Sequence, residues 1–236
     1  MWDSYGLSGY ELGAGTLSED SRGRWYLNVT VKAKAAQRSE SKQDLGIDLG
    51  LKTFAGFSDE RLENVEAQGF YRDLEPALAT AQRARKKARV KAIHARIANR
   101  RKDFLHQLST RLVREYGAIF VGNVNAQALA RAQHSKSVLD AGWSAFRTML
   151  QYKCADAGVW FDEVDEAFSS QTCSCCGSRT GPKGVAGLGI REWTCNACGT
   201  RHDRDRNAAR NILAVGRDRL AGGIPALCAP SAAALG

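Results

Sequence analysis

The chain has no apolar run long enough to span a bilayer and no basic-then-apolar leader at its start, so neither a membrane-embedded nor a secreted protein is expected. A disulfide framework is missing too. Of seven cysteines, four fall in two tight pairs, and Cys154, Cys175 and Cys228 have no obvious pairing, which points to a reducing cytoplasm. Acidic residues are absent from one stretch altogether. Between Arg83 and Lys102 stand ten cations (Arg83, Arg85, Lys86, Lys87, Arg89, Lys91, Arg96, Arg100, Arg101 and Lys102) and no Asp or Glu. Such a block repels itself. Ala84, Ala88, Ala92, Ala95 and Ala98 supply helix propensity, and with no acid at i+4 the cations suit a helix laid along phosphates, although a solvated surface helix would carry the same charge run. The net charge of +9 over 236 residues agrees with a polyanionic partner, and the 44% hydrophobic content suffices for one substantial core plus a small metal-held lobe.

The most specific local pattern is Cys173-x-x-Cys176, eighteen residues, then Cys195-x-x-Cys198. Each pair fits a short turn, and the loop lets two turns face each other and close a tetrahedral Zn²⁺ site of the structural kind, a zinc ribbon. Cys175 competes with Cys176 for a place in it. Cys176 is preferred because it keeps the x₂ spacing and is followed by Gly177, as Cys198 is by Gly199.

Directly after the ribbon, residues 202–213 (HDRDRNAARNIL) predict a helix with an acidic, Asn-containing start, so Asp205 projects from its first turn. Helix capping explains one such Asp as well as chemistry does. A second isolated carboxylate, Asp48, interrupts the apolar run 45–57 (LGIDLGLKTFAGF). Burying it in a strand is costly unless a cation neutralises it, and Gly46 and Gly50 leave room for close approach, so Asp48 is a candidate Mg²⁺ ligand or else a turn-capping residue.

Taken together, GIDLG at 46–50, HARIANRRKDFLHQLSTRLV at 94–113, SSQTCSCCG at 169–177 and REWTCNACGTRHDRDRNAARNIL at 191–213 resemble the TnpB (OrfB) proteins of bacterial insertion sequences, which are similar to compact type V CRISPR effectors. The resemblance runs from about Gly23 to Arg219. It implies an α/β, RNase H-like (RuvC) nuclease fold with an inserted zinc ribbon and a basic helical hairpin, a guide RNA, a DNA target, and a bacterial, nucleoid-associated location. It also puts the first catalytic carboxylate on Asp48 and the third on Asp205.

The second carboxylate departs from the pattern. The family carries Glu after an apolar strand, and here the matching run Ile119-Phe120-Val121-Gly122-Asn123-Val124 has Gly122 in that place. Taken alone, this predicts a dead nuclease. The next predicted strand, over 159–166, ends in carboxylates and in the RNase H-like sheet would lie beside Gly122. Glu166 shares a strand face with Asp162 and Val164 and is the expected replacement, with Glu163 as a weaker candidate.

The expected organisation is a remnant of an N-terminal β-barrel and linker (1–42), a nuclease core (43–168) containing a helical hairpin at about 73–115, the zinc ribbon (169–201), a final helix (202–220) and a flexible tail (221–236). A strand is expected over 24–31, a β-meander over 45–70, a buried strand over 117–124 and a helix over 136–157 with Val138, Leu139, Phe146, Met149 and Leu150 inward and Trp143 and Tyr152 packed. The barrel strands and helical recognition part that the resemblance leads one to expect are absent. A two-metal mechanism with Mg²⁺ or Mn²⁺ on Asp48, Glu166 and Asp205 is one reading. An RNA-guided DNA-binding protein that does not cut, repressor-like, is a second. A truncated fragment that only binds RNA or a full-length copy of the same family as its partner is the third.

Overall fold

The computed structural model describes residues 7–20, 22–32, 43–123, 140–184 and 186–222. Apolar and polar residues alternate along Trp25–Lys32, and this segment forms strand β2, paired antiparallel with β1 (Glu11–Glu19). The Gly- and Ser-rich opening therefore holds a strand that the sequence reading omitted. Leu17 lies opposite Leu27 and Leu12 opposite Val31, and all four stay exposed on one face of this ribbon.

The main sheet has five strands in the order β5-β4-β3-β6-β7: β3 (Asp44–Leu49), β4 (Thr53–Phe57), β5 (Val65–Glu66), β6 (Ala118–Gly122) and β7 (Trp160–Val164). The first three in sequence form an antiparallel meander; β3, β6 and β7 run parallel. Parallel neighbours require crossovers. Helices α1 (Glu75–Arg83) and α2 (Lys87–Glu115) precede β6, and α3 (Trp143–Ala157) precedes β7. Helix α4 (Arg204–Ala221) follows the cysteine-rich segment, whose strands β8 (Glu192–Thr194) and β9 (Arg201–Asp203) pair antiparallel.

Strand periodicity divides the sheet into two faces. Leu45, Ile47, Leu49, Ile119 and Val121 pack with Leu105, Leu112, Phe146 and Leu150 of α2 and α3. The alternate residues Ala118 and Phe120 pack with Ile212 of α4 on the other side. Gly46 makes that side flat, because a Cβ there would come within 2.1 Å of the Ala209 carbonyl oxygen. Asp48 belongs to the α4 face.

Two expectations need correction. Tyr152 is 49% exposed rather than packed, whereas Trp143 is buried. Gly50 does not open space for a ligand; it closes the turn into β4, where a Cβ would meet the Thr53 carbonyl at 2.8 Å. Val124, Val138, Leu139, Cys228 and the expected tail from 223 onward lie outside the described residues.

Candidate active site and metal centre

Two thiol-bearing turns build the candidate metal centre. Gly177 and Gly199 both adopt positive φ (+77° and +74°), and their amides donate to the carbonyls of Cys173 and Cys195 at 2.9 and 2.8 Å. Each turn thereby folds back on its first cysteine, with glycine in the left-handed position. The ligand atoms of Cys173, Cys176, Cys195 and Cys198 all lie within 4.8 Å of one another, and the Cys173–Cys198 and Cys176–Cys195 sulfur pairs are 3.7 Å apart. That separation is about the edge of a tetrahedron with metal–thiolate bonds of about 2.3 Å. The site fits a four-thiolate ion. The Thr180 hydroxyl, donating to Cys195 at 3.1 Å, with backbone amides, pulls that thiol down to about 6. Cys175 is exposed and outside the cluster.

His202, which the sequence reading did not single out, is buried and places Nε2 3.0 Å from the Cys173 sulfur while its ring packs at a tilt of 36° against Trp193. Asn207, also missed, is fully buried on the first turns of α4. Its carboxamide oxygen accepts from the Ser174 amide at 2.9 Å, and its nitrogen donates to the Ser169 and Thr172 carbonyls. One turn on, Asn211 donates to the same two carbonyls. The i, i+4 spacing, visible in the sequence, puts both amides on one helix face, where they clamp the segment leading from Glu166 to the cysteines.

The carboxylates are assembled through glycines. Asp48 pairs across the ladder with Gly56, and a Cβ on Gly56 would come within 3.0 Å of the Asp205 Cβ, so α4 brings Asp205 against the strand beside Asp48. Capping of α4 falls to Asp203, which accepts from the Arg206 amide at 2.8 Å, leaving Asp205 for other use. Arg191 donates to both Asp205 oxygens at 3.1 Å. On the opposite flank β3 and β6 pair Ile47 with Val121, which sets Gly122 beside Asp48 one residue later. A Cβ on Gly122 would lie 2.6 Å from Glu166 Oε2 and 3.1 Å from its Cβ. Glu166 thus fills the space that a side chain at 122 would occupy. Asn123 accepts from the Glu166 amide at 3.3 Å. Glu163 instead pairs with Arg147 at 2.9 Å, and Asp162 with Arg219 at 3.3 Å.

Electrostatics mark this recess as short of positive charge. Burial pushes the Asp48 carboxyl up to about 8, helped by the charges of Glu166 and Asp205 and opposed by Arg204 and Arg191. Burial also raises Glu166, with Arg147 opposing, and its Oε2 atom is buried with no hydrogen-bond partner among the described residues. An orphaned buried carboxylate oxygen beside a second carboxylate is the donor set that a divalent cation satisfies. Among the described residues, only the four thiols bring three or more ligand atoms within 4.8 Å, so the three acids share a face without forming a closed cage.

The cation block occupies the end of α1, the turn after it and the first half of α2, and all but Arg101 of its ten members are exposed. Arg101 ion-pairs with buried Asp140 at 2.8 Å and Arg100 reaches Asp73 at 3.4 Å. The acids that were missing at i+4 come from distant segments, so these two arginines are partly committed to the fold. No helix among the described residues is long and apolar enough to cross a membrane.

Known proteins resemble this chain in sequence and fold. A model for the Cas12f1-like TNB domain matches residues 143–212, and the OrfB IS605 model, described as a probable transposase, matches residues 26–133. A Streptomyces pristinaespiralis protein named "Putative RNA-guided DNA endonuclease" is 37% identical over 213 residues, covering 85% of this chain and 52% of its own length. The CRISPR-associated endodeoxyribonuclease Cas12f1 of Sulfoacidibacillus thermotolerans is 27% identical over 91% of this chain and 56% of its own. A cryo-EM structure of a Cas12f1-sgRNA-target DNA complex superposes with a TM-score of 0.56 at 15% identity, over 84% of this chain and 55% of that one. The fold is therefore the mixed α/β fold of Cas12f1 structures. Both family models and the curated relatives point the same way, and the chain resembles the TnpB/OrfB family over residues 26–133 and 143–212. It spans about half the length of the curated relatives it matches.

Proposed function

We propose that this chain is the nuclease portion of a TnpB-like, RNA-guided DNA endonuclease of a transposable element, with an RNase H-like (RuvC) sheet, a structural Zn²⁺ on Cys173, Cys176, Cys195 and Cys198, and Asp48, Glu166 and Asp205 as the acids of the catalytic site. One observation carries the reading: Glu166 occupies the empty side-chain position of Gly122 with an oxygen that has no partner among the described residues, beside an Asp48 whose charge is suppressed by burial and by the neighbouring acids. Mg²⁺ or Mn²⁺, when bound there, would supply an activated water and neutralise the leaving oxygen. Asp48, as the central acid, has to shed its proton to join the site. Asp205 exchanges its contact with Arg191 for that role, and Arg191 is then available to a phosphate. Asn123, donating nothing to the site, instead anchors the backbone of Glu166 through its amide.

The exposed cations of the Arg83 to Lys102 block are assigned to phosphate contacts with guide RNA or target DNA, where base pairing rather than the protein reads the sequence. The relatives' greater length makes a longer family member a reasonable partner in trans. A second reading, a guided DNA binder that does not cut, is favoured by the loss of acid at both Gly122 and Asn123. Cleavage of guide-matched DNA by the guide-loaded protein, with and without Mn²⁺, separates the two. Metal-dependent cutting that Glu166→Gln removes supports the nuclease; matched binding with no cutting by the unaltered protein leaves the binder.

A further inference from the structure

Phe168 is the one bulky aromatic among the described residues with a left-handed backbone, at φ +64°. Such a conformation is costly for a side chain of this size and persists only where surrounding contacts impose it. Those contacts are present. The Phe168 carbonyl accepts from the amides of Gln171 and Thr172 at 2.9 Å, the Ser169 amide donates to the Glu166 carbonyl at 3.0 Å, and Asn207 and Asn211 hold the Ser169 and Thr172 carbonyls from α4. The turn gains no core packing from this ring, which is 48% exposed and belongs to none of the buried clusters. The guanidinium carbon of Arg179 sits 4.0 Å from the ring centroid. Arg179 is exposed and forms no ion pair with a described residue.

An aromatic ring held in the open, two residues from Glu166, and an arginine layered on it with its N–H donors uncommitted among the described residues combine a π-surface with a phosphate-binding edge. We propose that Phe168 and Arg179 form a stacking platform for an unpaired base of single-stranded DNA, seating the strand beside the Asp48–Glu166–Asp205 face. A base inside a duplex has no free face to offer the ring, which selects single strands. Stacking of this type tolerates any base, so no sequence preference is expected. The proposal rests on the reading that the carboxylate face receives DNA, but not on whether the chain cuts it.

The test is a fluorescence titration of the whole chain against short single-stranded DNA containing 2-aminopurine, in buffer without added Mg²⁺ or Mn²⁺. Phe168→Leu is expected to weaken binding about 5- to 100-fold with an unchanged salt slope, and Phe168→Trp to restore it together with the stacking-dependent fluorescence change. Arg179→Gln is expected to lower the slope of log K against log salt by about one unit. Phe168→Gly separates platform from scaffold: relief of the left-handed strain keeps or raises the melting temperature while binding falls. Equal binding by Phe168→Leu, failure of Phe168→Trp to restore it, a fall in melting temperature for Phe168→Gly, or no single-strand binding by the unaltered chain would each overturn the proposal. Binding that follows the pattern while Mn²⁺ yields no cutting would sink the nuclease reading alone.

Discussion

Replacing Asp48 by Asn tests the electrostatics of the recess without altering its shape. The Asp48 carboxyl is displaced from 3.8 to about 8, chiefly by burial and then by Glu166 and Asp205. The folded-state value lies above the unfolded one, so between them the native protein holds a proton that the unfolded chain releases. Stability of the metal-free protein therefore falls as pH rises through this window and levels off above about pH 8. From about pH 5 to the folded value is three units, and at about 1.4 kcal/mol each the ceiling on the loss is about 4 kcal/mol. Asp48 keeps partial solvent contact, so about half of that is expected. The Asn variant escapes this loss. Its melting temperature relative to the unaltered protein should rise by roughly 4–8 °C between about pH 5 and about pH 8.5, given 2–4 °C per kcal/mol for a chain of this size. Scanning calorimetry at several pH values without added divalent ions reads this directly. A difference between the two proteins that stays constant over that range would refute the reasoning.

Three further outcomes follow from named contacts. Cys195→Ser should abolish the stoichiometric zinc expected on the four-thiol cluster and destabilise the cysteine-rich segment, while Cys175→Ser keeps one ion per chain; elemental analysis of the purified proteins decides, and metal loss from the Cys175 variant would show the ligand set to be wrong. Neutralising Arg89, Lys91 and Arg96, which have no acid pinned to them in the described structure, should weaken nucleic-acid binding for all sequences alike and lower the salt slope by about two to three units; a changed sequence preference at constant slope would contradict phosphate contact. Asn207→Asp sets a carboxylate against the Ser169 and Thr172 carbonyls and should cost about 3 kcal/mol in urea unfolding, whereas an unchanged midpoint would mean the clamp contributes little.

What could be read from the sequence was local or tied to strand period. Two Cys-x-x-Cys turns, each closed by a glycine, announce a four-thiol cluster because the ligand spacing is set by a few consecutive residues. Asp48 stood out because a carboxylate in an apolar strand has to be explained. The space left at Gly122, and a carboxylate two residues past the neighbouring strand, could be matched once parallel pairing was assumed. Contacts between remote segments were out of reach. Arg101 looked free because its partner Asp140 lies 39 residues away, and the Asn207 clamp closes on carbonyls 35 and 38 residues upstream. Strand β1 was missed since its Gly- and Ser-rich sequence has weak strand propensity and gains its order from pairing with β2. Arg191 was overlooked because nothing beside it in sequence signals that it reaches Asp205.

The central claim is that Asp48, Glu166 and Asp205 form one divalent-cation site with Glu166 standing in for the side chain that Gly122 lacks. Mn²⁺ titration of the zinc-loaded chain, followed by electron paramagnetic resonance at about pH 8 and again near pH 6, tests it without guide RNA or cleavage. The account predicts binding that tightens as pH rises, since Asp48 must lose its proton, and that weakens at least about tenfold in Glu166→Gln while Glu163→Gln binds as the unaltered protein does. Equal Mn²⁺ affinity in the unaltered chain and Glu166→Gln, or a loss found in Glu163→Gln instead, would contradict it.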